Sequence, residues 1–176
     1  MIRTAGATAL QYGGGQGREE LREQLVEVMR LEGVPGHADD LIITVGGQQA
    51  LELIAKCFID PGDVVLAEGP TYVGALGVFQ AAQADVVHVP MDADGLIPEA
   101  LEAAIADVAA TGRRPKFLYT IPTFQNPAGV TLSEQRRDRV LDICERAGLL
   151  VVEDDPYGQL SFDGEAPAPR RARRRE

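Results

Sequence analysis

Five short apolar runs, each of strand length and most of them rich in β-branched residues, punctuate this chain: LIITV at 41–45, DVVLAE at 63–68, DVVHVP at 85–90, KFLYTIP at 116–122 and LLVVED at 149–154. Helical spacing fills the intervals at 48–58, 72–82, 98–110 and 133–147. Ahead of them, EELREQLVEVMRLEG at 19–33 sets Leu21, Leu25, Val28 and Leu31 on one helical face, with Gly33 as its stop. Strand, helix and strand in repetition require right-handed crossovers, and crossovers place helices over both faces of a mainly parallel sheet. The fold class expected is α/β. At 45% hydrophobic and 25% charged residues, the chain has enough apolar material for such a core.

Charge narrows the function classes. A net charge of −10 repels nucleic-acid phosphates, and the body of the chain carries no basic stripe with interleaved aromatics. Arg170, Arg171, Arg173, Arg174 and Arg175 crowd the end behind Pro167 and Pro169, which reads as a disordered Pro/Arg tail over 165–176. Residues 1–18 read as an irregular, glycine-rich segment and 19–164 as the folded body. No run of 18 apolar residues and no charged-then-apolar leader occurs, so the expectation is a cytoplasmic protein. Cys57 and Cys144 lack metal-ligand spacing and are expected to be buried free thiols. His37 and His88 have no visible catalytic pairing and are expected at the surface or a strand edge.

In open sheets of this kind ligands collect where strands end and helices begin, because the first amides of a helix point outward without acceptors. Four strings occupy those positions: Gly46-Gly47-Gln48-Gln49, Glu68-Gly69-Pro70-Thr71-Tyr72, Thr123-Phe124-Gln125-Asn126-Pro127-Ala128-Gly129, and Asp154-Asp155-Pro156-Tyr157-Gly158. The first could close backbone amides on an anion, though many strand-to-helix turns carry two glycines for steric reasons alone. GxxxxGK[ST] is absent, and the Gly13–Gly17 run follows no strand, which weighs against ATP and NAD. Asp154 at a strand end calls for a cationic partner, or else serves as a cap or surface ion pair.

Taken in order and together, these strings resemble class I/II aminotransferases of the type I pyridoxal-phosphate fold, especially the branch with aminoadipate and kynurenine aminotransferases. The resemblance implies a partial cofactor-binding large domain for residues 19–164 and pyridoxal 5′-phosphate as cofactor. By it, Gly47 and Gln48 bind the cofactor phosphate, Tyr72 stacks on the pyridine ring, Asn126 and Tyr157 reach the ring hydroxyl, and Asp154 pairs with the ring nitrogen. Tyr12 matches a tyrosine that reaches across a dimer interface toward the partner's cofactor phosphate, implying a homodimer.

The same resemblance exposes a departure. The family's Schiff-base lysine follows the D-D-P-Y string in a Ser-x-x-Lys type motif, and the two lysines here, Lys56 and Lys116, match neither its position nor its context. The expectation is therefore a fragment, inactive as it stands, of an enzyme that moves an amino group from an α-amino acid to a 2-oxo acid. Two alternatives stay open: an aminotransferase-like ligand-sensing domain of a transcription regulator, and a truncated product without function. The resemblance is traced from Leu10 to about Asp163.

Overall fold

The computed structural model describes residues 6–7, 10–31 and 33–160. The 165–176 tail expected from the sequence lies outside them. Two units divide the chain, one ending at Val45 and one beginning at Gly46.

In the first unit, helix α1 spans Glu19–Leu31, and a 3-10 turn spans Ala38–Asp40, capped by the His37 side chain. Arg22, buried on α1, clamps that turn by donating from Nη1 to the Ala38 carbonyl at 2.5 Å. The LIITV run at 41–45 forms no strand. The Ile43 amide instead donates to the Gln16 carbonyl at 2.9 Å, within a loop. An apolar, β-branched pattern makes a strand only where a neighbour supplies a hydrogen-bond ladder.

The second unit holds the sheet. Helix α2 (Gly47–Phe58) leads to β1 (Val64–Gly69), α3 (Val73–Ala81), β2 (Asp85–Asp92), β3 (Gly95–Leu96), α4 (Pro98–Ala110), β4 (Pro115–Thr120), α5 (Glu134–Ala147) and β5 (Leu150–Glu153). The strand order is β3-β2-β1-β4-β5. β2, β1, β4 and β5 run parallel, with Leu66 opposite Val87 on one side and Leu118 on the other. β3 pairs antiparallel with β2 through Met91↔Leu96 and Asp92↔Gly95. The sequence reading lacks it because two residues carry no periodicity. Its turn is held by side chains: Asp92 Oδ1 accepts from the Asp94 amide at 2.8 Å, and the Arg136 guanidinium grips Asp92 and the Gly95 carbonyl.

Alternation along β1 builds two cores. Val64 and Leu66 face a cluster with Leu101 and Val108 of α4 and Val140, Ile143 and Cys144 of α5. Val65 and Ala67 face another with Leu51 and Ala55 of α2 and Ala75, Val78 and Phe79 of α3. Cys144 is buried and its thiol pushed up to about 11 by desolvation, whereas Cys57 is exposed, against expectation. It occupies the outer face of α2, where helical spacing alone did not distinguish the two sides.

Phe79 is fully buried and meets Phe117 and Tyr119 edge-on, with ring centroids 5.6 and 5.5 Å away. Phe79→Ala should lower the unfolding free energy by about 3–5 kcal/mol. Urea denaturation followed by circular dichroism checks this, and a loss below about 1 kcal/mol would contradict the packing described.

Candidate functional site

Strands β1 and β4 are neighbours from which the chain departs in opposite directions, to β2 through α3 and to β5 through α5. Their carboxyl ends therefore flank the crevice where an open α/β sheet reverses its order, the usual place for a ligand.

At that edge, α2 begins. Gly46 precedes it with φ +113°, a conformation that side-chain-bearing residues rarely adopt, and its carbonyl accepts from the Gln49 and Ala50 amides at 3.2 and 3.4 Å. The steric demand for glycine thus falls on Gly46. Gly47, the residue singled out from the sequence, has open space beside it, since an added Cβ would meet nothing within 4 Å. A helix N-terminus of 12 residues with bare backbone in front of it suits a phosphate. Gln48 extends its Nε2 to the Gly74 carbonyl at 3.5 Å. Tyr72, half-buried at the start of α3, lays its ring against the Gly74 backbone so closely that any side chain there would collide with it. Gln48 and Tyr72 are thereby brought onto the same patch.

Asp154 follows β5, half-buried, and its amide donates to the Thr120 carbonyl at 2.9 Å. The Tyr119 hydroxyl donates to Asp154 Oδ2 at 2.7 Å. Burial first, then that donated bond, raises the Tyr119 hydroxyl well above the ordinary tyrosine range, so it remains a donor. Tyr72 and Tyr119 belong to the same packed cluster, on the α2/α3 face of the sheet. Among the described residues no cation pairs with Asp154. A half-buried carboxylate held by a neutral donor, with no cation beside it, fits a ring nitrogen that carries a proton.

Asn126 lies in the turn after β4, half-buried, and its side chain bonds to no other described residue. The turn is closed by the Gln125 amide to the Val130 carbonyl at 2.8 Å and the Ala128 amide to Gln125 Oε1 at 2.9 Å. Tyr157 is half-buried in the turn three residues beyond Asp154, and its carbonyl accepts from the Leu160 amide at 2.9 Å. Tyr12 belongs to the first unit and is fully exposed.

Two further residues take part. Tyr119 lies inside the apolar KFLYTIP run, and only the register with β5 brings its hydroxyl to Asp154. Glu68, near the end of β1, is 1% exposed and accepts from Thr120 Oγ1 at 2.6 Å, the Ile121 amide at 3.0 Å and Gln125 Nε2 at 3.2 Å. The acidic residue in the Glu68-Gly69-Pro70-Thr71-Tyr72 string was the available signal.

A groove of about 440 Å³ between α2 and α3 is lined by Gln48, Glu52, Lys56, Ile59 and Val78. It shares only Gln48 with the candidate residues, and the chemistry just described belongs to the sheet edge.

Burial raises the Glu68 carboxyl above the ordinary glutamate range, although its three donors oppose the shift. A raised acid stabilises the fold below its unfolded value and loses that contribution as pH rises through the folded one. Glu68→Gln, neutral at every pH, should therefore gain on the wild type between pH 4 and pH 8. Urea midpoints at the two pH values measure the difference; a gap that stays constant or moves the other way contradicts the assignment.

Comparison with known proteins gives this geometry a context. A family model described as aminotransferase class I and II matches residues 2–175, past the point near Asp163 where the motifs placed the end of the resemblance. An aromatic-amino-acid aminotransferase of Thermococcus litoralis is 43% identical over 94% of this chain and 40% of its own length. A crystal structure of an α-aminoadipate aminotransferase from Thermus thermophilus, complexed with N-(5′-phosphopyridoxyl)-L-leucine, is 40% identical. It superposes with a TM-score of 0.84 over 96% of this chain and 41% of its own. A helix-turn-helix-type transcriptional regulator of Bacillus subtilis is 32% identical over 95% of this chain and 34% of the regulator. The chain thus spans about 40% of the length of these two aminotransferases. The family and the phosphopyridoxyl group of the Thermus thermophilus complex imply pyridoxal 5′-phosphate as cofactor. With the expected α/β sheet present and the family model covering it from end to end, the chain belongs to the aminotransferase class I and II family.

Proposed function

We propose that this chain is the cofactor-binding part of an aminotransferase and that its sheet edge holds pyridoxal 5′-phosphate. The observation that carries the reading is Asp154, a half-buried carboxylate held by Tyr119 and without a cationic partner among the described residues. In this reading Asp154 keeps a proton on the ring nitrogen while Tyr119 fixes the orientation of its carboxylate. Tyr72 covers one ring face and excludes water from it; aromatic pairs of this kind contribute about 0.5–1.5 kcal/mol beyond burial. Asn126 and Tyr157 donate to the ring hydroxyl, the amides of Gly47 and Gln48 hold the phosphate, and Tyr12 reaches the phosphate of a second subunit in a homodimer. When bound, the cofactor supplies a protonated ring that draws electrons from the α-carbon of an amino acid.

Neither lysine suits covalent attachment. Lys56 stands nine residues along α2 from Gly47, about 13 Å at the helical rise. Lys116 lies at the opposite end of β4 from the candidate site and pairs with Asp63 at 2.9 Å. The 176-residue chain is accordingly proposed to bind cofactor without transaminating, and amino-acid and 2-oxo-acid substrates belong to the complete protein, in a cytoplasmic setting. No helix among the described residues is long and apolar enough to cross a membrane. The similarity to a transcriptional regulator favours a second reading, in which the same cradle senses a ligand.

Pyridoxamine 5′-phosphate, which needs no lysine, tests cofactor binding by calorimetric titration. The wild-type chain should bind it, and Asp154→Ala should weaken binding about tenfold or more, since hydrogen bonds to charged groups contribute about 1.5–3 kcal/mol. Absence of binding, or an unchanged Asp154→Ala titration, would overturn the reading. In a coupled assay with amino acid and 2-oxo acid, the purified chain should show no turnover; a measurable rate would contradict the inactive assignment.

A further inference from the structure

Glu68 has a feature that burial alone does not account for. Its carboxylate leaves β1, yet every donor it accepts from belongs to β4 or the loop that follows it: Thr120, Ile121 and Gln125. Gln125, 2% exposed, reaches back with the same Nε2 to the Pro70 carbonyl at 2.8 Å, while its Oε1 takes the Ala128 amide at 2.9 Å. Two side chains thus cross the switch point in opposite directions. Gln125 immediately precedes Asn126 and attaches to the backbone at Pro70, two positions before Tyr72, while Glu68 takes the Gln125 side chain and the Ile121 amide.

We propose that Glu68 and Gln125 form a buried bracket that fixes the Tyr72 loop and the Asn126 loop relative to each other, so that the ring-binding surface is assembled before the ring arrives. The proposal rests on the reading of Tyr72 and Asn126 given above. Both members act as positioning residues. Glu68 shares the parity of Val64 and Leu66, which face α4 and α5, whereas Tyr119 and Tyr72 pack in the cluster on the opposite face. The bracket holds the loops from beneath and stays clear of the ring.

The bond pattern suits an acceptor at Glu68 and says which substitutions it tolerates. In Glu68→Gln the amide oxygen can take the place of Oε2, accepting from the Ile121 amide and Gln125, while its nitrogen donates to Thr120 Oγ1 once that hydroxyl rotates. Glu68→Leu supplies no acceptor and strands three donors. Gln125→Leu cuts the tie to Pro70 but leaves Glu68 its bonds to Thr120 and Ile121.

The test is a nuclear magnetic resonance titration of the 15N-labelled chain, following the Gly47 and Gln48 amides with inorganic phosphate and, separately, with pyridoxamine 5′-phosphate. A preassembled surface contributes affinity by lowering ordering costs. The wild type should therefore prefer the pyridoxamine compound by about tenfold or more. Glu68→Leu should keep the phosphate affinity and lose most of that preference, and Glu68→Gln should restore it. Loss of fold would remove both affinities together, so the selective loss separates positioning from mere stability. Should Glu68→Leu fail to fold, Gln125→Leu must show the same selective loss. A folded Glu68→Leu or Gln125→Leu chain with the wild-type preference overturns the bracket, as does a Glu68→Gln chain as impaired as Glu68→Leu. A wild type with no preference at all overturns the cofactor reading itself, and the two failures are told apart by which chain shows them.

Discussion

From Val64 to Glu68, strand β1 is buried on both faces, and a ladder partner occupies each of its edges. Val64, Val65, Leu66 and Ala67 are all fully buried between β2 and β4. A parallel strand so enclosed needs helices over both faces, which fixes α2 and α3 on one side and α4 and α5 on the other. It also forces the chain to leave in opposite directions on its two flanks, and the reversal opens the crevice that receives the candidate site. At its end the strand still carries Glu68 into the interior, where the Thr120, Ile121 and Gln125 donors make that burial tolerable.

The consequences at the crevice are arranged by face. Residues of one parity, with Tyr119 and the position of Asp154 following Val152, address the side where α2 and α3 begin. Residues of the other parity address the interior beneath α4 and α5. A carboxylate appears on each side, and their surroundings differ: Asp154 is half-buried with a single phenolic donor, Glu68 is fully enclosed with three. The first is the one proposed to meet a protonated ring nitrogen. The second is satisfied from within.

Much of this was legible in the residues. Runs at 63–68, 85–90, 116–122 and 149–154 became β1, β2, β4 and β5 because each combines β-branching with a crossover helix of the right length. The run at 41–45 has the same composition and no ladder, and composition carries no information about neighbours. Cys57 and Cys144 show a similar limit: both fit helical periodicity, and only the packing decides that one faces the core. At the site, Gln48, Tyr72 and Asp154 were visible as types at strand and helix ends. Tyr119 and the Glu68–Gln125 pair were not, because their roles depend on register and on which face each residue takes. Tyr157 is half-buried three residues beyond Asp154 and Tyr12 is exposed in the first unit, and the roles proposed for both rest on the resemblance.

Ligand chemistry is proposed to belong to the carboxyl edge of β1, β4 and β5 rather than to the groove between α2 and α3. A crystal structure of the chain with pyridoxamine 5′-phosphate tests it most directly. The ring nitrogen is expected within hydrogen-bonding distance of the Asp154 carboxylate, the ring against Tyr72, and the phosphate on the amides of Gly47 and Gln48. Density for the compound in the groove beside Glu52 and Lys56, or a ring turned with its nitrogen away from Asp154, would contradict it.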